Sequence, residues 1–115
     1  MSVITLLSKE PVFHDEFEKR QDVFEQFGIE DDPKYQLLYA GYTYEDYSGS
    51  SVVFGYDHEK KQFFEVYGSH CSCFGLEDQW EPEYYESFEE MLLVYGRDDW
   101  RPTEARKLLL SFLDN

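Results

Sequence analysis

A chain of 115 residues, 42% hydrophobic and 19% aromatic, is long enough for one core and too short to fill two, and that share of rings argues against intrinsic disorder. Against 10 Lys+Arg stand 25 Asp+Glu, a formal net charge of −15, which sets aside bare nucleic acid and anionic membranes as direct partners and favours basic surfaces. No apolar run reaches the roughly 20 residues a membrane-crossing helix needs, and the first residues lack the basic start of a secretory signal.

Cys71 and Cys73, with only Ser72 between them, are too close for an unstrained disulfide and read as reduced thiols. The expectation is a single domain over residues 1–115, in the cytoplasm.

In chain order, residues 2–8 are apolar and β-branched enough for a short strand, with a helical lead-in as the alternative. Phe13, Phe17, Phe24 and Phe27 then recur at intervals of four, seven and three, which predicts one N-terminal amphipathic helix between Pro11 and Gly28. Its phenylalanine stripe reads as core. The Glu30-Asp31-Asp32-Pro33 stretch breaks the chain, and the period changes to two. Residues 35–47 alternate as a long strand that places Leu38, Ala40, Tyr42 and Tyr44 on one face. Ser48, Gly49 and Ser50 read as a turn, residues 51–56 as a second strand, 57–60 as another turn and 62–67 as a third strand. Together they predict a three-stranded antiparallel meander.

Residues 68–83 follow neither period and read as an ordered loop. Ser87 and Glu90 form a capping-box pattern that opens a helix carrying Phe88, Met91, Leu92 and Tyr95. Pro102 leads a last helix with Ala105, Leu108, Leu109 and Phe112 on its apolar side. Helix, meander, loop and two C-terminal helices make an α+β fold.

The chemistry-bearing residues are few. His70, Cys71 and Cys73 crowd into one stretch, and a small metal-binding adaptor organised by that loop is one alternative. Structural zinc, however, wants four ligands from paired spacings, and only one pair is present unless His14 or His58 completes it. A Cys–His nucleophile lacks a third group, and no phosphate loop, helix-borne histidine pair or nucleophile elbow occurs. The expectation is therefore no enzymatic activity, no cofactor and no bound metal, with an enzyme lacking a recognisable signature as a further alternative.

The placement of acid says more than its total. Between Lys61 and Arg97 there is no lysine or arginine, while Glu65, Glu77, Asp78, Glu81, Glu83, Glu86, Glu89 and Glu90 fall in that interval, interleaved with Trp80, Tyr84 and Tyr85. Carboxylates alternating with aromatic rings suit an arginine-rich groove, through charge-assisted hydrogen bonds and cation–π contacts. The candidate partner-binding residues are thus Glu77, Asp78, Glu81, Glu83, Tyr84, Tyr85, Glu86, Glu89 and Glu90. The competing reading has the glutamates solvating a helix side while the rings, Trp80 above all, turn inward.

The stretch at residues 68–83 resembles a block found in small proteins of bacteriophages and prophages. In those a tyrosine-rich hairpin precedes Gly-Ser-His-Cys-Ser-Cys, then Gly-Leu-Glu and Gln-Trp-Glu-Pro. The matching positions here are 68–73, 75–77 and 79–82. The resemblance covers the middle third of the chain and implies a phage origin without bringing an activity. By analogy with acidic anti-restriction and anti-CRISPR inhibitors, some of which imitate DNA charge, it implies an inhibitor that binds a basic, nucleic-acid-binding surface of a host defence protein.

Overall fold

The computed structural model describes residues 10–45, 48–71, 75–97 and 102–111. Its elements are β1 (Val12–Asp15), α1 (Arg20–Phe27), β2 (Tyr35–Glu45), β3 (Ser48–Asp57), β4 (Gln62–His70), β5 (Glu83–Tyr85), α2 (Phe88–Arg97) and α3 (Thr103–Ser111). The strands form one mixed sheet of five in the order β1-β2-β3-β4-β5. β1 runs parallel to β2, and every other pairing is antiparallel. Among the described residues no helix is long and apolar enough to cross a membrane.

This architecture overturns the expected N-terminal helix and three-stranded meander. The segment between Pro11 and Gly28 is a strand, a turn and a short helix. Val12 to Asp15 pair with Tyr39 to Tyr42, and the chain then turns at Asp15, whose φ of 61° is left-handed, a region Asp tolerates better than most residues. The turn is fastened by the Glu16 amide donating to the Tyr42 carbonyl at 2.9 Å. Helix α1 starts only after Lys19, where the Asp22 carboxylate accepts from the amides of Glu18 and Lys19 at 3.0 and 3.2 Å. It ends at Gly28, whose φ of 72° is the left-handed cap glycine supplies without strain.

The phenylalanine stripe misled because Phe13 on β1, Phe17 in the turn and Phe24 and Phe27 on α1 all reach one side of the sheet. A helical period and a strand-turn-helix path meet the same core. The expected strand at residues 2–8 lies outside the described residues, as does Phe112.

The meander is the centre of a wider sheet. β3 already begins at Ser48, so Ser48, Gly49 and Ser50 belong to a strand and not to a turn; Gly49 pairs with Tyr44 and Ser50 with Thr43. Nor is residues 68–83 wholly loop: β4 continues to His70, and Glu83 opens β5, an edge strand paired with Phe63 to Glu65. Three- and four-residue edge strands are too short to display a period.

The sheet is covered on both faces. Phe17, Val23, Phe24, Phe27, Leu76 and Trp80 pack over one side, against Tyr35, Leu37, Ala40, Tyr42, Val53, Phe64 and Val66. Phe88, Met91, Tyr95, Ala105 and Leu109 cover the other, against Leu38, Tyr39, Val52, Phe54 and Phe63. Along β2 the pairing with β3 shifts between Leu37 and Tyr39. This bulge sends Leu38 and Tyr39 to one face and Ala40 and Tyr42 to the other, which corrects the expectation that Leu38 shares a face with Ala40 and Tyr42. Opposite the bulge, a Cβ on Gly55 would lie 2.1 Å from the Gln36 carbonyl oxygen, so only glycine fits.

Candidate functional site

The acidic stretch spans the approach to β5, the strand itself and the start of α2. Glu77 and Asp78 occupy a tight turn, Asp78 with a φ of 65°. Glu81 leads into the strand, Glu83 lies on it, and Glu86, Glu89 and Glu90 sit just before and within the first turn of α2. All seven carboxylates are exposed, and none pairs with a cation among the described residues. Three of the described cations have other partners, one of them an aromatic ring of this stretch. Arg20 grips Asp31 at 2.7 Å and donates to the carbonyls of Asp32 and Tyr35. That hydrogen bond from Arg20, and its charge, hold the Asp31 carboxyl below its ordinary value. Lys34 faces Asp32, and Lys60 lies 4.8 Å above the Tyr84 ring. Glu89 and Glu90 also meet the positive end of the α2 dipole, a structural role that leaves their outer faces to solvent.

The aromatic residues of the stretch turn inward. Tyr85 is buried in the core, where its hydroxyl donates to Glu65 at 3.1 Å. Tyr84 is half-buried and donates to Asp57 at 2.8 Å. Trp80 packs edge-on against Phe27, Tyr35 and Phe64. A role as protruding anchors is therefore closed to Tyr85 and Trp80; they are the scaffold beneath the charged edge.

Two buried carboxylates stand behind that edge. Glu65, counted with the acidic stretch in the sequence, is only 4% exposed and accepts from Tyr85 and Tyr95, which makes it an internal polar tie and not surface charge. Asp57, fully buried, closes the β3–β4 turn: its carboxylate accepts from the amides of Glu59 and Lys60 at 2.9 and 3.1 Å and from Tyr84. Burial pushes its carboxyl up, but these donors and the charge of Lys34 outweigh that and hold it below the ordinary range.

Residues between 68 and 82 hold the fold. Gln79 spans two strands of chain: its amide nitrogen donates to the carbonyls of Ser69 and Gly75, each at 2.9 Å, and its oxygen accepts from the Ser69 amide. Gly68 admits Leu76 and Phe27, since a Cβ there would come within 2.9 Å of the leucine. His70 Nδ1 donates to the Cys71 carbonyl, which in the neutral ring leaves Nε2 to accept from the Tyr42 hydroxyl. Both ring nitrogens are thus occupied. Cys71 is exposed, and Cys73 lies outside the described residues. His58 bonds Gln36 at the β3–β4 turn, whereas His14 sits on β1 against Tyr39. Among the described residues no three potential ligands form a metal site.

A concavity that the sequence did not announce lies on the α3 side of the sheet. Asp15, Tyr39, Thr43, Ser50 and Glu104 line it, with Gly41 as part of its floor. These positions come from β1, β2, β3 and α3, so no spacing in the chain links them; the one local trace is the glycine two residues after a tyrosine. Comparison with protein-family models, with curated proteins and with solved structures returns no match to this chain.

Proposed function

We propose that this chain is a protein-binding domain whose carboxylate edge, from Glu77 to Glu90, docks on a basic surface that another protein uses to hold nucleic acid, and so occludes it. The supporting observation is the exposure of all seven carboxylates along one turn, one edge strand and one helix start, with no cation paired to any of them among the described residues. Charge of this density speeds encounter with a positive groove and sets orientation. Tyr85, being core, and Trp80, packed on Phe27, Tyr35 and Phe64, contribute rigidity to the edge, and the half-buried Tyr84 can add contact area at its margin. The resemblance to phage proteins and to acidic anti-restriction and anti-CRISPR inhibitors extends the reading to an inhibitor of a host defence protein, by imitation of DNA charge.

The test is reversal of Glu83, Glu86 and Glu90 to lysine, with capture from host lysate at low and high salt and affinity measured for the protein retained. At about 0.2–1 kcal/mol for each exposed charge pair, and more for reversal than for removal, binding falls roughly tenfold or more and its salt dependence flattens. Unchanged affinity with an unchanged salt slope rules out the charge-mimic mechanism.

A further inference from the structure

The concavity beside α3 has a volume of about 360 Å³, room for a small organic group. At its base lies the Tyr39 side chain, 1% exposed and stacked on Phe54. Its hydroxyl passes over Gly41, where a Cβ would sit 2.5 Å from the oxygen. Glycine at position 41 keeps that space open. Among the described residues the Tyr39 hydroxyl has no hydrogen-bond partner, and it lines the cavity although the rest of its side chain is buried.

The remaining polar groups decide what would complete it. Ser51 spends its hydroxyl on the Gly41 carbonyl at 2.9 Å, and Thr43 and Ser50 face each other at 3.3 Å. The unspent groups are the Tyr39 oxygen and the carboxylates of Asp15, from β1, and Glu104, from the first turn of α3, which have no ion pair among the described residues. Acceptors exceed donors, and two of the three are anionic. Burial first, then the charges of Glu104 and Asp15, push the Tyr39 phenol up to about 12, so it stays protonated and can both donate and accept. A neutral polyol would leave the two charges unanswered, and an anion would be repelled.

We propose that this cavity is a binding site for an alkyl cation bearing several N–H donors, a guanidinium or primary ammonium group, held between Asp15 and Glu104 with Tyr39 at its base. Two sources carry that chemistry: a free amine and an arginine side chain of another protein. The site involves none of the β5-edge carboxylates.

The probe is agmatine, which carries both cationic groups, titrated into the full-length protein and followed by backbone amide NMR. Saturable shifts centred on Gly41, Thr43, Val52 and Glu104 are expected, with none from neutral N-butylurea. Glu104→Gln with Asp15→Asn, both at exposed positions and the second suited to the left-handed backbone, weakens binding at least tenfold. Tyr39→Phe weakens it severalfold while the amide spectrum keeps its dispersion. The triple lysine variant at Glu83, Glu86 and Glu90 keeps the site, so failure here and failure of the edge are read separately. Competition by a short arginine-containing peptide makes a protein side chain the occupant; agmatine binding that the peptide leaves unaffected makes it a free amine, and both uphold the assignment. Shifts spread evenly over the acidic surface, equal binding of N-butylurea, or affinity untouched by Glu104→Gln with Asp15→Asn would overturn it.

Discussion

Replacing Asp57 probes how far a single buried carboxylate holds the β3–β4 end of the sheet. The side chain is fully buried and receives three donors: two turn amides at 2.9 and 3.1 Å and the Tyr84 hydroxyl at 2.8 Å. Hydrogen bonds to an ionised group contribute about 1.5–3 kcal/mol each, though not additively. Asp57→Ala is expected to lose about 3–5 kcal/mol. Asp57→Asn, which keeps the shape but turns an amide nitrogen toward the Tyr84 oxygen, is expected to lose about 1–2.

Urea unfolding reads both values as a shift in midpoint at constant slope. Acid supplies the sharper check. Because the folded carboxyl lies below its ordinary 3.8, its contribution is complete above that value and is lost as pH falls through the lower, folded one. The stability gap between wild type and Asp57→Asn should therefore be full at neutral pH and close in acid. Comparing the two proteins cancels the relief of repulsion that acid brings to a chain of charge −15. A loss under about 1 kcal/mol for Asp57→Ala, or a gap that does not narrow, refutes this account of the turn.

Three further outcomes follow from the packing. Gly55→Ala drives a Cβ to 2.1 Å from the Gln36 carbonyl oxygen; backbone has to move, and thermal unfolding should show a loss of about 3 kcal/mol or more. Gln79→Ala removes all three bonds that join Ser69 to Gly75 and should cost about 2–3 kcal/mol in urea, with faster amide exchange at Ser69. The Tyr39 phenol, pushed to about 12, should ionise after an ordinary tyrosine in an ultraviolet pH titration. Its raised value means that stability is intact below pH 10 and declines as pH climbs from there toward 12, and Glu104→Gln should bring the phenol's value down.

The sequence carried the interior of this fold better than its margins. Residues 51–56 and 62–67 lie inside β3 and β4, where short apolar runs rich in Val, Phe and Tyr mark strands buried on both faces. β1 and β5 left no such record, being four and three residues long and fixed by partners distant in the chain. The helix expected between Pro11 and Gly28 fails for a different reason: its apolar spacing is genuine, but a strand and a turn deliver Phe13 and Phe17 to the same core that α1 reaches with Phe24 and Phe27. The exposure of the acidic stretch was legible because that is the ordinary outcome for carboxylates, whereas Glu65 broke that rule with two tyrosine hydroxyls to receive it. The α3-side cavity was beyond reach, since Asp15 and Glu104 meet only through tertiary folding.

The offset between Leu37 and Tyr39 also governs how β2 can align with β3. In a regular ladder, sliding one strand by two residues returns each side chain to its proper layer, and nothing local forbids the error. Here any such slide carries the displaced Gln36 carbonyl away from Gly55 and onto Val53 or Asp57, whose side chains leave no room for it. One missing methyl group thus acts as an alignment key, allowing a single seating of a strand that is otherwise rich in interchangeable tyrosines.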